Sequence, residues 1–155
     1  MKKPKIDSAQ LERSRQQHVG RYLQNAARAC NARALAKLHE RGHTNLSLAH
    51  TNVLPYLDVE GTRATLLAER TGMTKQAAGQ IVLELETHGY VQRQPDPEDG
   101  RAVLVLFTKS GWQFLMDAQT IKQEIEAEYR VALGAARLKE LMLALKTLSE
   151  LEHQT

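Results

Sequence analysis

The chain has 155 residues, is 42% hydrophobic but only 5% aromatic, and carries a formal net charge of +3. That is enough apolar content to exclude wholesale disorder, and the length suits one compact domain or a small domain with helical extensions. A core this poor in aromatic residues is aliphatic, which favours helices over a β-sandwich. The single cysteine, Cys30, rules out an intrachain disulfide and points to a reduced, cytoplasmic setting. No apolar run is long enough to span a bilayer and no signal-peptide pattern is present, so no membrane partner is expected.

In chain order, residues 10–39 carry apolar or small side chains at Val19, Leu23, Ala26, Cys30, Ala34 and Leu38. Steps of three and four predict one long helix, stopped near Gly42. Ser47 is placed to cap a second helix that buries Val53, Leu54 and Leu57, and Pro55 should kink or shorten it. Thr62 or Thr65 opens a short helix ending at Gly72. Thr74 caps a further helix to about His88, and Gly89 closes it. Two short helices joined through Gly72-Met73 have the punctuation of a helix-turn-helix. Two strand-like runs follow, Tyr90–Gln94 and Ala102–Phe107, joined by Pro95-Asp-Pro-Glu-Asp-Gly-Arg101, whose turn residues predict a hairpin tip. Thr108 caps a helix with the stripe Phe114, Ala118, Ile121, Ile125, Tyr129 and Ala132, and Gly134 breaks it. The last helix repeats Leu138, Leu141, Leu145 and Leu148 in an a/d pattern, a candidate dimer seam together with Val19 and Leu23. The expected fold is mainly α (α+β): a winged helix-turn-helix over 46–108, flanked by helical dimerisation regions over 1–45 and 109–155 that belong to the same structural unit.

The helix after Thr74 separates two kinds of residue. Ala78, Val82 and Leu85 form an inward stripe, while Lys75, Gln76, Gly79 and Gln80 lie on the opposite face near the N-terminus. Free N–H groups there attract phosphate. A glutamine offers a donor and an acceptor together, which matches an adenine edge. Gly79 lets backbone approach backbone. In the hairpin, Arg101 suits a narrow, electronegative minor groove, and Asp99 is placed to hold its guanidinium. Asp96 and Glu98 would repel phosphate and should face away or cap the turn. Arg93, Arg63 and Arg70 are candidates for backbone contact. Against this stands the charge distribution. Residues 1–45 hold ten Lys/Arg against three Asp/Glu, whereas 61–111 hold six of each.

The stretches Leu67-Ala-Glu-Arg-Thr-Gly-Met-Thr74, Val82-Leu-Glu-Leu-Glu-Thr-His-Gly-Tyr-Val-Gln-Arg93, Asp96-Pro-Glu-Asp-Gly-Arg101 and Leu106-Phe-Thr-Lys-Ser-Gly111 resemble the multiple antibiotic resistance regulator (MarR) family. The resemblance is sharp over about 62–111 and looser over roughly 10–153. It implies a homodimeric transcriptional regulator, usually a repressor, on a pseudo-palindromic double-stranded DNA operator. It also implies dimerisation through the terminal helices and a cleft for a small-molecule effector. By position, Gln76, Ala77, Gly79 and Gln80 fall where the family contacts bases and backbone, and Asp99 and Arg101 on its wing pair. Position 80 is often basic in the family and is Gln here. Positions 77 and 79 often bear hydroxyls and are Ala and Gly. Fewer phosphate contacts imply a shallower salt dependence.

Tyr56 and Cys30 are candidate ligand-pocket residues, and Cys30 a candidate oxidant sensor set against the role of a small buried hydrophobe. His39, His43 and His50 lack the further ligands of a metal set, so no metal or cofactor is expected. No nucleophile–base pair or phosphate loop suggests an enzyme. The alternative is a winged helix that docks on another protein without sequence-specific DNA binding.

Overall fold

The computed structural model describes residues 18–151. Helix α1 spans Val19–Glu40 and is capped by His18, whose Nδ1 accepts the Gly20 N–H. The part of the expected first helix that falls on residues 10–17 lies outside the described residues. Helix α2, Leu48–Val53, is opened by a capping box in which Ser47 and His50 each accept the other's backbone N–H. Pro55 acts as its chemistry requires: the α-helix stops at Val53, and Leu54–Tyr56 tighten into a 3-10 turn.

Residues Thr62–Arg63 are the first departure from expectation. They form a short strand, β1, and helix α3 begins only at Ala64, running to Thr71. Arg63 therefore lies on the sheet and not on a helix. Gly72 ends α3 with φ 66°, the left-handed conformation that glycine adopts without a Cβ penalty. Thr74 caps α4, Lys75–Thr87, by accepting the Ala77 N–H. Strands β2, Val91–Pro95, and β3, Val103–Phe107, form the hairpin. The sheet order is β1-β3-β2, antiparallel throughout, with Val105 opposite both Thr62 and Arg93. Helices α5, Lys109–Leu133, and α6, Ala135–Leu151, complete the chain.

The core is aliphatic, as the composition dictates. Leu54, Leu67, Leu85, Val91, Val105 and Ile121 are fully buried in one cluster that also takes in Leu38, Phe107 and Phe114. It joins the helix-turn-helix, the sheet and the long helices. Gly111, in the first turn of α5, is held by closeness: an added Cβ would stand 2.2 Å from the Tyr90 carbonyl oxygen. That contact seats α5 against the base of the hairpin.

Along their length α1 and α5 are joined by ion pairs. Arg33 donates two hydrogen bonds to Glu128, Lys37 bridges Glu124 and Glu128, and Arg41 meets Glu124. The bonds from Arg33 and then Lys37 hold the Glu128 carboxyl down at about 2. At the end of the ladder the buried His43 bridges the Asp117 carboxylate (3.0 Å) and the Tyr90 hydroxyl (2.9 Å).

Candidate nucleic-acid interface

Helix α4 folds as a two-faced element because its apolar residues recur at Ala78, Val82 and Leu85, all buried. The other face is open: Lys75, Gln76, Ala77 and Gln80 are exposed. Gly79 lies on this face, and a Cβ added there would meet nothing within 4 Å. The chain's own packing does not require glycine at that position. The helix loses stability by having it, so any advantage of the missing side chain is realised toward a partner.

The polar side chains of α4 are ordered unequally. Lys75 and Gln76 make no hydrogen bond or ion pair among the described residues. Gln80 is held: its Nε2 donates to Glu84 Oε1 at 3.0 Å. The other oxygen of Glu84 accepts from the buried His50 at 3.0 Å. The Gln80 bond and then the His50 bond keep the Glu84 carboxyl below its ordinary range.

The hairpin tip is built on Asp96. Its Oδ1 accepts the Glu98 N–H at 2.8 Å and its Oδ2 accepts Arg63 Nε at 2.5 Å. The backbone bond from Glu98, followed by the Arg63 bond, outweighs burial and lowers the Asp96 carboxyl. An acid at the expected DNA surface is thus turned inward and neutralised, as its charge required.

Asp99 behaves differently from expectation. Its Oδ1 accepts the backbone N–H of Arg101 at 3.1 Å, and its carbonyl accepts the Ala102 N–H at 2.8 Å. No Asp99–guanidinium pair occurs among the described residues. The short aspartate side chain closes the tight turn locally, where the amide two residues on is nearer than a long flexible side chain. Asp99 therefore shapes the loop that carries Arg101, and the Arg101 guanidinium is exposed and makes no ion pair among the described residues.

The remaining arginines of this segment are engaged. Arg63 pairs with Asp96, Arg70 with Asp58 and the Tyr56 carbonyl, and Arg93 with Glu86. Three of the six basic side chains of residues 61–111 are thereby tied to acids, and Lys75, Arg101 and Lys109 make no side-chain ion pair among the described residues. The even charge balance of the segment conceals this division, which no count of residues could show.

The other expected sites separate. Tyr56 lines an open groove of about 410 Å³ with Thr51, Asn52, Pro55, Thr71 and Met73. Cys30 does not line it. It packs half-buried beside the core on α1. The two candidate pocket residues therefore do not line one groove among the described residues. Of the expected seam, Val19, Leu23, Leu141, Leu145 and Leu148 are exposed, but Leu138 is buried within the chain itself. Its place in the first turn of α6, just after the break at Gly134, makes it an internal contact. His39, His43 and His50 are spent separately, on the Leu46 carbonyl, on Asp117 with Tyr90, and on Ser47 with Glu84. Among the described residues no group of three His, Cys, Asp or Glu could hold a metal ion. No described helix is long and apolar enough to cross a membrane.

Residues 44–102 match the model of the MarR family. An uncharacterized HTH-type transcriptional regulator of Mycobacterium bovis is 32% identical over 107 residues, 64% of this chain and 75% of that one. The chain belongs to the MarR family. A second relative, an uncharacterized HTH-type transcriptional regulator of Mycobacterium leprae, is 31% identical over 91 residues, 58% of this chain and 64% of its own length. Among solved structures, the transcriptional repressor CouR bound to a 23-mer DNA duplex superposes with a TM-score of 0.71 at 21% identity, covering 94% of this chain and 99% of that one. The PcaV regulator of Streptomyces coelicolor, in complex with its natural ligand, gives 0.66 at 18% identity over 97% and 98%. The MarR fold thus extends through both long helices. The chain is a MarR-family transcriptional regulator with a DNA-binding winged helix-turn-helix fold.

Proposed function

We propose that this MarR-family chain acts as a homodimeric repressor. In this reading α4 enters the major groove and the 96–101 loop lies at the minor groove. The observation that carries it is the selective pairing of cations. Acids neutralise Arg63, Arg70 and Arg93 within the fold, and leave Lys75 at the start of α4 and Arg101 at the wing tip uncommitted. Gln76, Ala77, Gly79 and Gln80 then face the duplex from the helix. Asp99 shapes the wing, while Arg63 fixes its base through Asp96. Arg93, tied to Glu86, supports the hairpin and reaches phosphate only by exchanging partners.

Dimerisation through the terminal helices is supported by the exposed side chains of Leu141, Leu145, Leu148, Val19 and Leu23. A fully buried leucine is worth about 1.5–3 kcal/mol relative to an exposed one, so a symmetric interface over this face gains substantially from each copy. Two recognition helices about 34 Å apart then meet successive turns of a pseudo-palindromic site. Residues 46–108 form the reading unit, and 1–45 with 109–155 the dimerising one. CouR, of the same fold, was solved on DNA, which supports the docking mode.

Release by a small-molecule effector follows if the ligand prefers a dimer with another helix spacing. The Tyr56 groove borders Thr71 and Met73, immediately before α4, and is the place in this chain where such a ligand would bear on the recognition helix. PcaV, of the same fold, was solved with its natural ligand.

The test is selection of duplexes from a random pool, followed by binding of the winner and a scrambled control across salt concentrations. The expected result is a two-fold symmetric motif bound by a dimer. Sequence-indifferent binding with no salt dependence would instead favour a protein-docking role.

A further inference from the structure

Gln80 is the one polar side chain on the outer face of α4 whose amide is committed to a partner among the described residues. A carboxylate only accepts hydrogen bonds, so Glu84 Oε1 must face the amide nitrogen of Gln80, at 3.0 Å. Turning the amide over would bring two acceptors together. Glu84 is itself fixed from behind. His50 is buried, and its Nδ1 accepts the Ser47 N–H at 3.1 Å. The proton of the neutral ring must then sit on Nε2, which donates to Glu84 Oε2 at 3.0 Å. One backbone N–H at the start of α2 therefore sets, through a ring tautomer and a carboxylate, which way a side chain on the recognition helix presents its amide.

We propose that Glu84 is a positioning residue that fixes the amide of Gln80 and so sets a preference for adenine over guanine at one position of each half-site. The inference rests on the reading of α4 as the DNA-contacting helix. With one N–H given to Glu84, Gln80 retains its carbonyl oxygen and one N–H. That pair complements adenine N6–H and N7. Guanine presents two acceptors, O6 and N7, and the held carbonyl opposes one of them. A glutamine free to rotate could turn its NH2 toward guanine; the held one cannot.

The two substitutions of Glu84 lead to different outcomes. In Glu84→Ala the amide is released, and adenine-over-guanine enrichment at one position should fall by about tenfold, the scale of a single bidentate base contact. In Glu84→Gln the buried His50 Nε2–H still needs an acceptor, so the introduced amide turns its oxygen to His50 and its NH2 to Gln80. Gln80 must then present its carbonyl inward and both N–H groups outward, and preference at that position should move to guanine. Glu84 is half-exposed, so both variants keep the buried stripe of α4 and should melt as cooperatively as the wild type.

The experiment is duplex selection with wild type, Glu84→Ala, Glu84→Gln, Gln80→Ala and the double variant Gln80→Ala/Glu84→Ala, each sequenced. The proposal expects one position to change in the order just given, with the others unmoved, and the double variant to match Gln80→Ala. Removal of a negative charge alone would raise affinity for all sequences equally, and that pattern with unchanged base preference overturns the proposal. So does a double variant that shifts preference beyond Gln80→Ala. A wild type that enriches no motif overturns the DNA reading itself, and is distinguished from failure of the positioning role by the wild-type selection alone.

Discussion

The two halves of the proposed DNA surface are prepared in opposite ways. At the wing, internal bonds hold Asp96 and Asp99 and stop short of the cation, while the Glu98 side chain stays exposed. Asp96 is held by Arg63 and the Glu98 N–H, Asp99 by the Arg101 N–H, and the Arg101 guanidinium is left free of any acid among the described residues. On α4 the bonds reach the reading group itself, through Glu84 to Gln80. A charge that seeks phosphate or a narrow groove works through a long-range, tolerant attraction, so a shaped loop is enough. A neutral amide distinguishes bases only by which of its ends faces outward, so its orientation has to be fixed. The wing is thus suited to affinity and the helix to discrimination.

Replacing the charge breaks the comparison most directly. Arg101→Ala should weaken operator binding by about 1–3 kcal/mol and make the salt dependence shallower by about one counterion, with the dimer intact by sedimentation. Gln80→Ala should leave that salt slope alone and alter base preference instead. Next in size is Gly79→Ala. With open space around the missing Cβ, alanine should stabilise the free protein by roughly 1 kcal/mol in urea unfolding. The same change should weaken operator binding, because the added methyl stands where DNA approaches. Stability and affinity moving together upward would show that the face is solvent-exposed in the complex.

Smaller still is the effect of releasing the wing base. Arg63→Ala removes the ion pair that holds Asp96 and should be read in binding: a moderate loss, with the salt slope nearer wild type than in Arg101→Ala. A loss as steep in salt as that of Arg101→Ala would mean that Arg63 contacts phosphate directly. The smallest change concerns the ladder between α1 and α5. Glu128 is held at about 2 by Arg33 and Lys37, below the unfolded carboxyl. Its contribution to stability is therefore present above the unfolded value and is lost as pH falls from the ordinary glutamate range toward 2. Glu128→Gln should flatten that part of the stability curve measured by urea unfolding, by removing at neutral pH the contribution that the wild type loses only in acid.

Much of the fold was legible because its punctuation is local. Ser47, Thr74 and Thr108 cap helices, Gly72 and Gly89 end them, and Pro55 shortens one, each through its own backbone chemistry. The inward stripe Ala78, Val82 and Leu85 follows from helical spacing alone. Strand β1 was not legible. Two residues show no alternation, and Thr62–Arg63 are a strand only because β3 lies beside them. Leu138 fits an a/d seam by spacing but is buried within the chain, just after the break at Gly134, which periodicity does not encode. The pairing of Arg63, Arg70 and Arg93 also joins residues distant in sequence, or separated by a turn, so the free cations could not be told from the bound ones. Asp96 was the exception: its charge required that it face away or cap the turn, and its carboxylate accepts the Glu98 N–H and pairs with Arg63, whereas the Glu98 side chain stays exposed.

The most direct measurement is the salt dependence of binding to the selected duplex by wild type and Arg101→Ala, followed by fluorescence anisotropy under matched conditions. A free wing cation predicts weaker binding and a slope shallower by about one in the variant. Equal affinity and equal slope in the two proteins would contradict it and remove the wing from the interface.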